Sequence, residues 1–142
     1  MITEAHLHPM AVHFPIAVIL LGFIVDFVSL FWKKESCLSK MGYWLEIVGM
    51  LGAIVAFGTG YFLTNPMEGE AGDLRERHEL FATLTLVSII IATLFRVLAT
   101  YMNKEETRLK YISLILLFFS VVLVIITGML GGQLVYDYMI GI

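Results

Sequence analysis

Three histidines, His6, His8 and His13, lie just before or inside the first turns of the first apolar run, and a fourth, His78, opens the third run. Neutral imidazole is the commonest metal ligand among side chains, and the facing helices of a bundle are a common place to hold such ligands. His13 and His78, at similar depth on two helices, form a pair able to ligate a b-type haem from both faces. With His8 they form a trio able to hold a transition metal such as copper, zinc or iron. Asp73, Tyr136, Asp137 and Tyr138 stand where they can support the imidazoles through hydrogen bonds. Met10, Met67 and Met139 offer thioethers that would join the histidines only for copper; otherwise they are core filler. The spacing also argues the other way. His8 and His13 are five apart and share no face of a regular helix, and all of these histidines can equally serve as hydrogen-bonding ties between helices.

A second constellation is Asp26, Glu46 and Arg96, one ionisable residue inside each of the first three apolar runs. A charge in lipid is costly and marks a functional site by default. An acid at Asp26 and a base at Arg96 would pair with each other rather than stay separately charged. The trio therefore reads first as a buried polar network that holds the helices together, and second as part of a proton path.

Both constellations need elements that span a bilayer. The 142 residues are 59% hydrophobic and 15% charged, against about 25% charged in a typical soluble domain. Four apolar runs, about 10–32, 42–64, 80–102 and 111–136, are each long enough to cross a hydrocarbon core of about 30 Å. Without closing a barrel, only helices satisfy their own backbone in lipid. The fold expected is all-α: one four-helix transmembrane domain, up-down-up-down, over residues 1–142. By hydropathy alone Asn65–Arg77 reads as a loop; Asp73 followed by Glu76 reads as a capping box that starts the third helix near Leu74, inside that connection, which extends the span to 74–102. His8-Pro9 reads as a cap followed by proline at the first helical position, with a kink at Pro15. Glu46, Gly49, Ala53, Ala56 and Gly60 form one small-residue stripe, suited to close packing of a helix or of a flat cofactor. His78, Ala82, Thr85, Ile89, Ala92 and Arg96 form another, and Ser113, Ser120, Thr127 and Gly131 a third. Gly131-Gly132 marks either a tight contact or a bend or stop. The dry middle of the third-helix stripe argues against a continuous polar path.

Lys33, Lys34 and Lys40 fall in one short connection and Lys104, Arg108 and Lys110 in another, whereas the opposite side carries Arg75 and Arg77 among acids. The positive-inside rule then places both termini, and all four histidines, on the extracytoplasmic side of a bacterial inner membrane. Trp32, Tyr43 and Trp44 suit an aromatic belt at the cytoplasmic interface. The single Cys37, read in a cytoplasmic loop, has no intrachain partner. The N-terminus lacks the basic start and small-residue cleavage site of a signal peptide. A net charge of −3, with basic residues confined to short loops, argues against nucleic acid as a partner. Lipid is the certain partner; a redox protein or a second copy of the chain are the protein partners that fit. No nucleophile with a partnered base is spaced for catalysis, so the chain is read as more plausibly a cofactor carrier or a structural subunit than an enzyme.

The run His8-Pro9-Met10-Ala11-Val12-His13-Phe14-Pro15, Asp26, the Arg77-His78 pair and Gly131-Gly132-Gln133-Leu134-Val135-Tyr136 together resemble the bacterial four-helix membrane family called domain of unknown function 2231. The resemblance covers nearly the whole chain, and its HPxxVHFP and GGxLVY segments are its most specific parts. It implies an integral membrane domain, without assigned activity, that sometimes accompanies respiratory modules and so suggests a role near electron transfer. The chain departs from the family pattern in two places. Tyr138 and Met139 stand where a His-Gly pair is usual, and Gly60-Tyr61-Phe62 where the second span tends to end on Asp; any role of those family residues is altered here.

Overall fold

The computed structural model describes residues 4–32, 36–64, 66–102 and 108–138. They form four α-helices, α1 (Glu4–Ser29), α2 (Ser36–Leu63), α3 (Gly69–Tyr101) and α4 (Arg108–Tyr138), with no strand among them. Each is long and apolar enough to cross a membrane. The helices run further than the apolar segments because a helix need not end where the lipid does. At 1.5 Å per residue the 33 residues of α3 extend about 50 Å, well beyond a hydrocarbon core of about 30 Å.

All four helices start earlier than expected. α1 begins at Glu4 and runs through both Pro9 and Pro15, so His8 lies within the helix rather than capping it. α3 begins at Gly69 after Glu68, whose side chain makes no capping bond. Asp73 is therefore one turn inside the helix, and the expected Asn65–Arg77 loop shrinks to a short connection. Gly69 takes φ +65°, a left-handed conformation that glycine adopts without steric strain. α2 begins at Ser36, which puts the exposed Cys37 in its first turn rather than in a loop. α4 continues through Gly131 and Gly132 to Tyr138 without stopping.

The distribution of polarity is that of a protein in lipid. Large apolar side chains such as Phe62, Leu94, Tyr101 and Met129 face outward, while Asp26, Glu46, Arg96, Ser113 and Ser120 are wholly buried. In water that arrangement would expose grease and bury charge; in lipid the outward side chains meet acyl tails and the polar ones find each other.

α1 packs closely along α2, and α3 along α4. The two hairpins meet more sparsely, α1 against α4 and α2 against α3. Close packing within the first hairpin depends on glycine. A Cβ at Gly49 would lie 2.8 Å from Ile19 Cγ1, one at Gly42 2.8 Å from Asp26 Oδ1, and one at Gly60 2.8 Å from His8 Cε1. The small stripe of α2 is therefore filled by α1 side chains along its length and leaves no slot there for a flat cofactor.

α1 and α3 lie on a diagonal of the bundle, and their interior residues keep one register. His8, Pro15, Ile19, Gly22, Asp26 and Ser29 match His78, Thr85, Ile89, Ala92, Arg96 and Ala99, each pair separated by 70 in the numbering. The middle of the bundle, around Ile19, Ala53, Ile89, Ala92, Leu117, Val121 and Val124, is apolar and closed. The ionisable groups lie toward its two ends, and between them the hydroxyl pairs Ser88–Ser120 at 2.8 Å and Thr85–Thr127 at 3.1 Å bridge α3 and α4.

Candidate functional site

At one end, His8 of α1 and His78 of α3 meet ring against ring across the diagonal, with centroids 6.3 Å apart and planes at 80°. Each imidazole is oriented by the second helix of its own hairpin. His8 Nδ1 lies 3.0 Å from Thr59 Oγ1. Thr59 already donates its proton to the Ala56 carbonyl at 2.8 Å, so its oxygen accepts and His8 Nδ1 donates. His78 Nδ1 lies 3.0 Å from the Thr127 carbonyl, which can only accept. Both rings are therefore Nδ1–H tautomers with the lone pair on Nε2. This is the arrangement in which a ligating histidine is held, one nitrogen donating to a protein oxygen and the other free to bind metal. Glycines make room for the rings: Gly60 sits beside His8, and a Cβ at Gly131 would come within 3.1 Å of His78 Cε1.

The geometry rearranges the histidine expectations. His13 is exposed, and its Nδ1 turns back onto the Pro9 carbonyl of its own helix at 2.6 Å. The structure does not bring it to His78; His8 is there instead. Helical phase explains the exchange. His8 precedes Asp26 by 18 residues, five full turns, as His78 precedes Arg96, whereas His13 precedes Asp26 by 13 and falls on the far side of α1. Among the described residues no three His, Cys, Asp or Glu side chains converge as a metal-binding group, so the trio His8, His13 and His78 does not assemble. Asp73, Tyr136 and Tyr138 are exposed. The bonds they were expected to give the imidazoles come from Thr59 and from the Thr127 backbone. Met10 is also exposed; Met139 and the side chain of His6 lie outside the described residues.

At the other end the helices contribute one buried ionisable residue each. Arg96 Nη2 lies 3.2 Å from Asp26 Oδ1 and donates to the Ser39 carbonyl and hydroxyl at 2.8 and 2.9 Å. Lys110 Nζ lies 3.9 Å from the same Asp26 oxygen and donates to Ser39 Oγ at 2.8 Å and Ser29 Oγ at 3.3 Å. Glu46 joins through Ser113, whose hydroxyl lies 3.4 Å from Glu46 Oε1 and 3.1 Å from the Ala92 carbonyl. Lys110, which its charge and position beside Arg108 place in a connection, is buried within α4. Extending the α4 stripe back one turn from Ser113 reaches it, and that signal went unused. Ser39 carried no pattern that singles it out from sequence. The buried acids belong to the first hairpin and the buried bases to the second, so the hairpins are complementary in charge where they meet.

The family model described as a predicted membrane protein, DUF2231, matches residues 4–142. The chain belongs to the DUF2231 family. That membership makes it a multi-pass membrane protein in contact with lipid, and it carries no assigned function. No curated protein and no solved structure matches the chain.

Proposed function

We propose that this DUF2231 protein is a bacterial inner-membrane subunit that carries a redox-active transition-metal centre, bound through Nε2 of His8 and His78, and serves an electron-transfer assembly. The observation that supports it is the ring pair across the diagonal, with both Nδ1 atoms committed to protein oxygens and both lone pairs left on Nε2. Orientation follows from the lysines and arginines: both termini and the histidine end face the extracytoplasmic side, where a soluble or membrane-bound redox partner can reach the site. The centre is a haem iron or a bare ion such as copper; both remain in the proposal. The ionic end is structural. Ile19, Ile89 and Leu117, fully buried between the ends, speak against an open transport path there.

A structural or assembly subunit without cofactor is the second reading. It is favoured by the fact that the His8–Thr59 and His78–Thr127 bonds each fasten one hairpin. Metal analysis and an absorption spectrum of detergent-purified protein from metal- and haem-replete cells separate the two. Metal stoichiometric with the chain, lost in His8→Ala, is the expected result. A colourless preparation that takes up neither metal ions nor haemin leaves only the structural reading.

A further inference from the structure

The register that links α1 to α3 has a counterpart in α2 and α4. Ser39, Gly42, Glu46, Gly49, Ala53, Ala56, Gly60 and Leu63 match Lys110, Ser113, Leu117, Ser120, Val124, Thr127, Gly131 and Leu134, each pair separated by 71 in the numbering. These are the interior positions of both helices. The chain is thus built of two hairpins that present equivalent faces to each other. His8 beside Gly60 corresponds to His78 beside Gly131. The two imidazoles are equivalent groups, facing one another from opposite sides of the seam between the hairpins.

Equivalence has a chemical consequence. The pair supplies two nitrogen donors, and no third His, Cys, Asp or Glu side chain joins them among the described residues. Zinc sites use at least three protein ligands, so two imidazoles do not make one. A porphyrin supplies four in-plane nitrogens, and its iron then needs only two axial ligands, one from each face. With metal–nitrogen bonds of about 2 Å, each ring centre lies about 3 Å from the metal, which puts opposed rings about 6 Å apart and rings at a tetrahedral angle about 5 Å apart. The observed 6.3 Å matches the opposed arrangement in distance, with the two rings here standing edge to face at 80°.

The seam itself suits a flat group. The hairpins approach each other over fewer residues than the helices within each hairpin do. The seam is bordered near the rings by Gly60, Gly131 and Gly128, and a Cβ at Gly128 would lie 3.5 Å from Ile16 Cδ1 on the α1–α4 side. On the α2–α3 side Arg75 Nη2 reaches across to Thr64 Oγ1 over a long 3.4 Å, so a cation stands at the rim where the propionates of a haem would lie.

We infer that the group carried at this end is a non-covalent haem lying in the seam between the hairpins, with His8 and His78 as its axial ligands. This rests on the metal-centre reading above and narrows it to one ligand class. Cys37 is the only cysteine and no Cys-x-x-Cys-His run exists, so attachment through thioethers is absent.

The test is an absorption spectrum and a pyridine haemochrome assay on the full chain purified from haem-replete cells, repeated after titrating haemin into the purified protein. Expected is a Soret band with the spectrum of a six-coordinate, bis-imidazole haem. His8→Ala and His78→Ala should each lose that spectrum to the same degree, while His13→Ala leaves it intact. Because an alanine variant can fail to fold, His8→Gly with added imidazole supplies a control in which restored six-coordination supports the assignment. Thr59→Val, which removes the partner of His8 Nδ1, should weaken haem retention by about tenfold. Stoichiometric copper or zinc without porphyrin absorbance overturns the haem and leaves the metal centre standing. Absence of any bound metal, with no spectral change on adding haemin, overturns both. Equal loss in His13→Ala and His8→Ala overturns the axial assignment.

Discussion

The two ends of this bundle are made by the same pair of helices in the same register, and they do opposite things. At the ionic end, Asp26 and Arg96 meet across the diagonal at 3.2 Å, with Lys110 and Ser39 drawn in around them. At the histidine end, His8 and His78 meet across the same diagonal without bonding each other; each bonds its own hairpin instead. One end has its polar groups turned toward each other and ties the hairpins together. The other sets two imidazoles edge to face between the hairpins, each tied to its own hairpin through Nδ1. Five helical turns, about 27 Å, and a closed middle of apolar side chains and paired hydroxyls separate them. The lesson is that one packing pattern can build two chemically different ends, depending on whether the facing residues satisfy one another.

Loss of a partner at the clamp should have the largest effect. Asp26→Leu removes the carboxylate that Arg96 and Lys110 both face, and breaking a buried ion pair from one side costs about 3–5 kcal/mol. Arg96→Met should cost less, because Lys110 still stands 3.9 Å from Asp26. The Asp26→Leu/Arg96→Met double variant should be more stable than the sum of the singles predicts. Reversible unfolding in detergent measures all three. Additive losses would mean that Asp26 and Arg96 are not an energetic pair, and the contrast between the ends would disappear.

A matched pair of glycines sharpens the comparison. A Cβ at Gly42 would sit 2.8 Å from Asp26 Oδ1, and a Cβ at Gly60 would sit 2.8 Å from His8 Cε1. The overlap is equal, but the obstacles differ. Asp26 is held by two cations and cannot step aside, so Gly42→Ala should destabilise by about 1–3 kcal/mol, the usual range for overpacking. His8 is held by one hydrogen bond worth about 1 kcal/mol, and its ring can swing away. Gly60→Ala should therefore unfold nearly as the parent does while losing whatever His8 binds. Equal destabilisation in the two variants would show that the histidine end is as rigid as the ionic one.

Much of this contrast was legible in the sequence, and what was missed was missed for physical reasons. Four apolar runs fixed the number of helices because a bilayer admits few alternatives. The inward placement of Asp26, Glu46 and Arg96 followed from the expense of charge in lipid. The ends of the helices were less readable. Polar residues such as those from Gly69 to Arg77 continue α3 beyond the apolar run, and hydropathy does not register a helix once it leaves the hydrocarbon. Lys110 was assigned to a loop for the same reason, although its phase with Ser113 and Leu117 marks it as interior. His13 was preferred over His8 because it lies deeper in the apolar run. Depth was the wrong criterion; angular phase relative to Asp26 selects His8. The bonds from Thr59 and from the Thr127 carbonyl depend on how the hairpins pack, and no spacing within a single helix announces them.

The smallest effect expected is also the finest probe of the histidine end. Gly131 and Gly132 are neighbours on α4, yet a Cβ at Gly131 would come within 3.1 Å of His78 Cε1, whereas one at Gly132 would meet nothing within 4 Å. Glycine within a helix is less favourable than alanine by about 0.5–1 kcal/mol, so Gly132→Ala should be slightly stabilising and silent at the site. Gly131→Ala gains the same backbone term and loses part of it in moving the ring by a few tenths of an ångström, so its stability should stay within about 0.5 kcal/mol of the parent. Its signature belongs elsewhere. A ring displaced toward the seam changes the ligand field of anything bound through Nε2, so the absorption spectrum of the loaded protein should shift in Gly131→Ala and not in Gly132→Ala. If both variants leave the spectrum untouched, His78 is not in contact with the bound group. The imidazole pair is then a second clamp, and the two ends of the bundle differ in strength but not in kind.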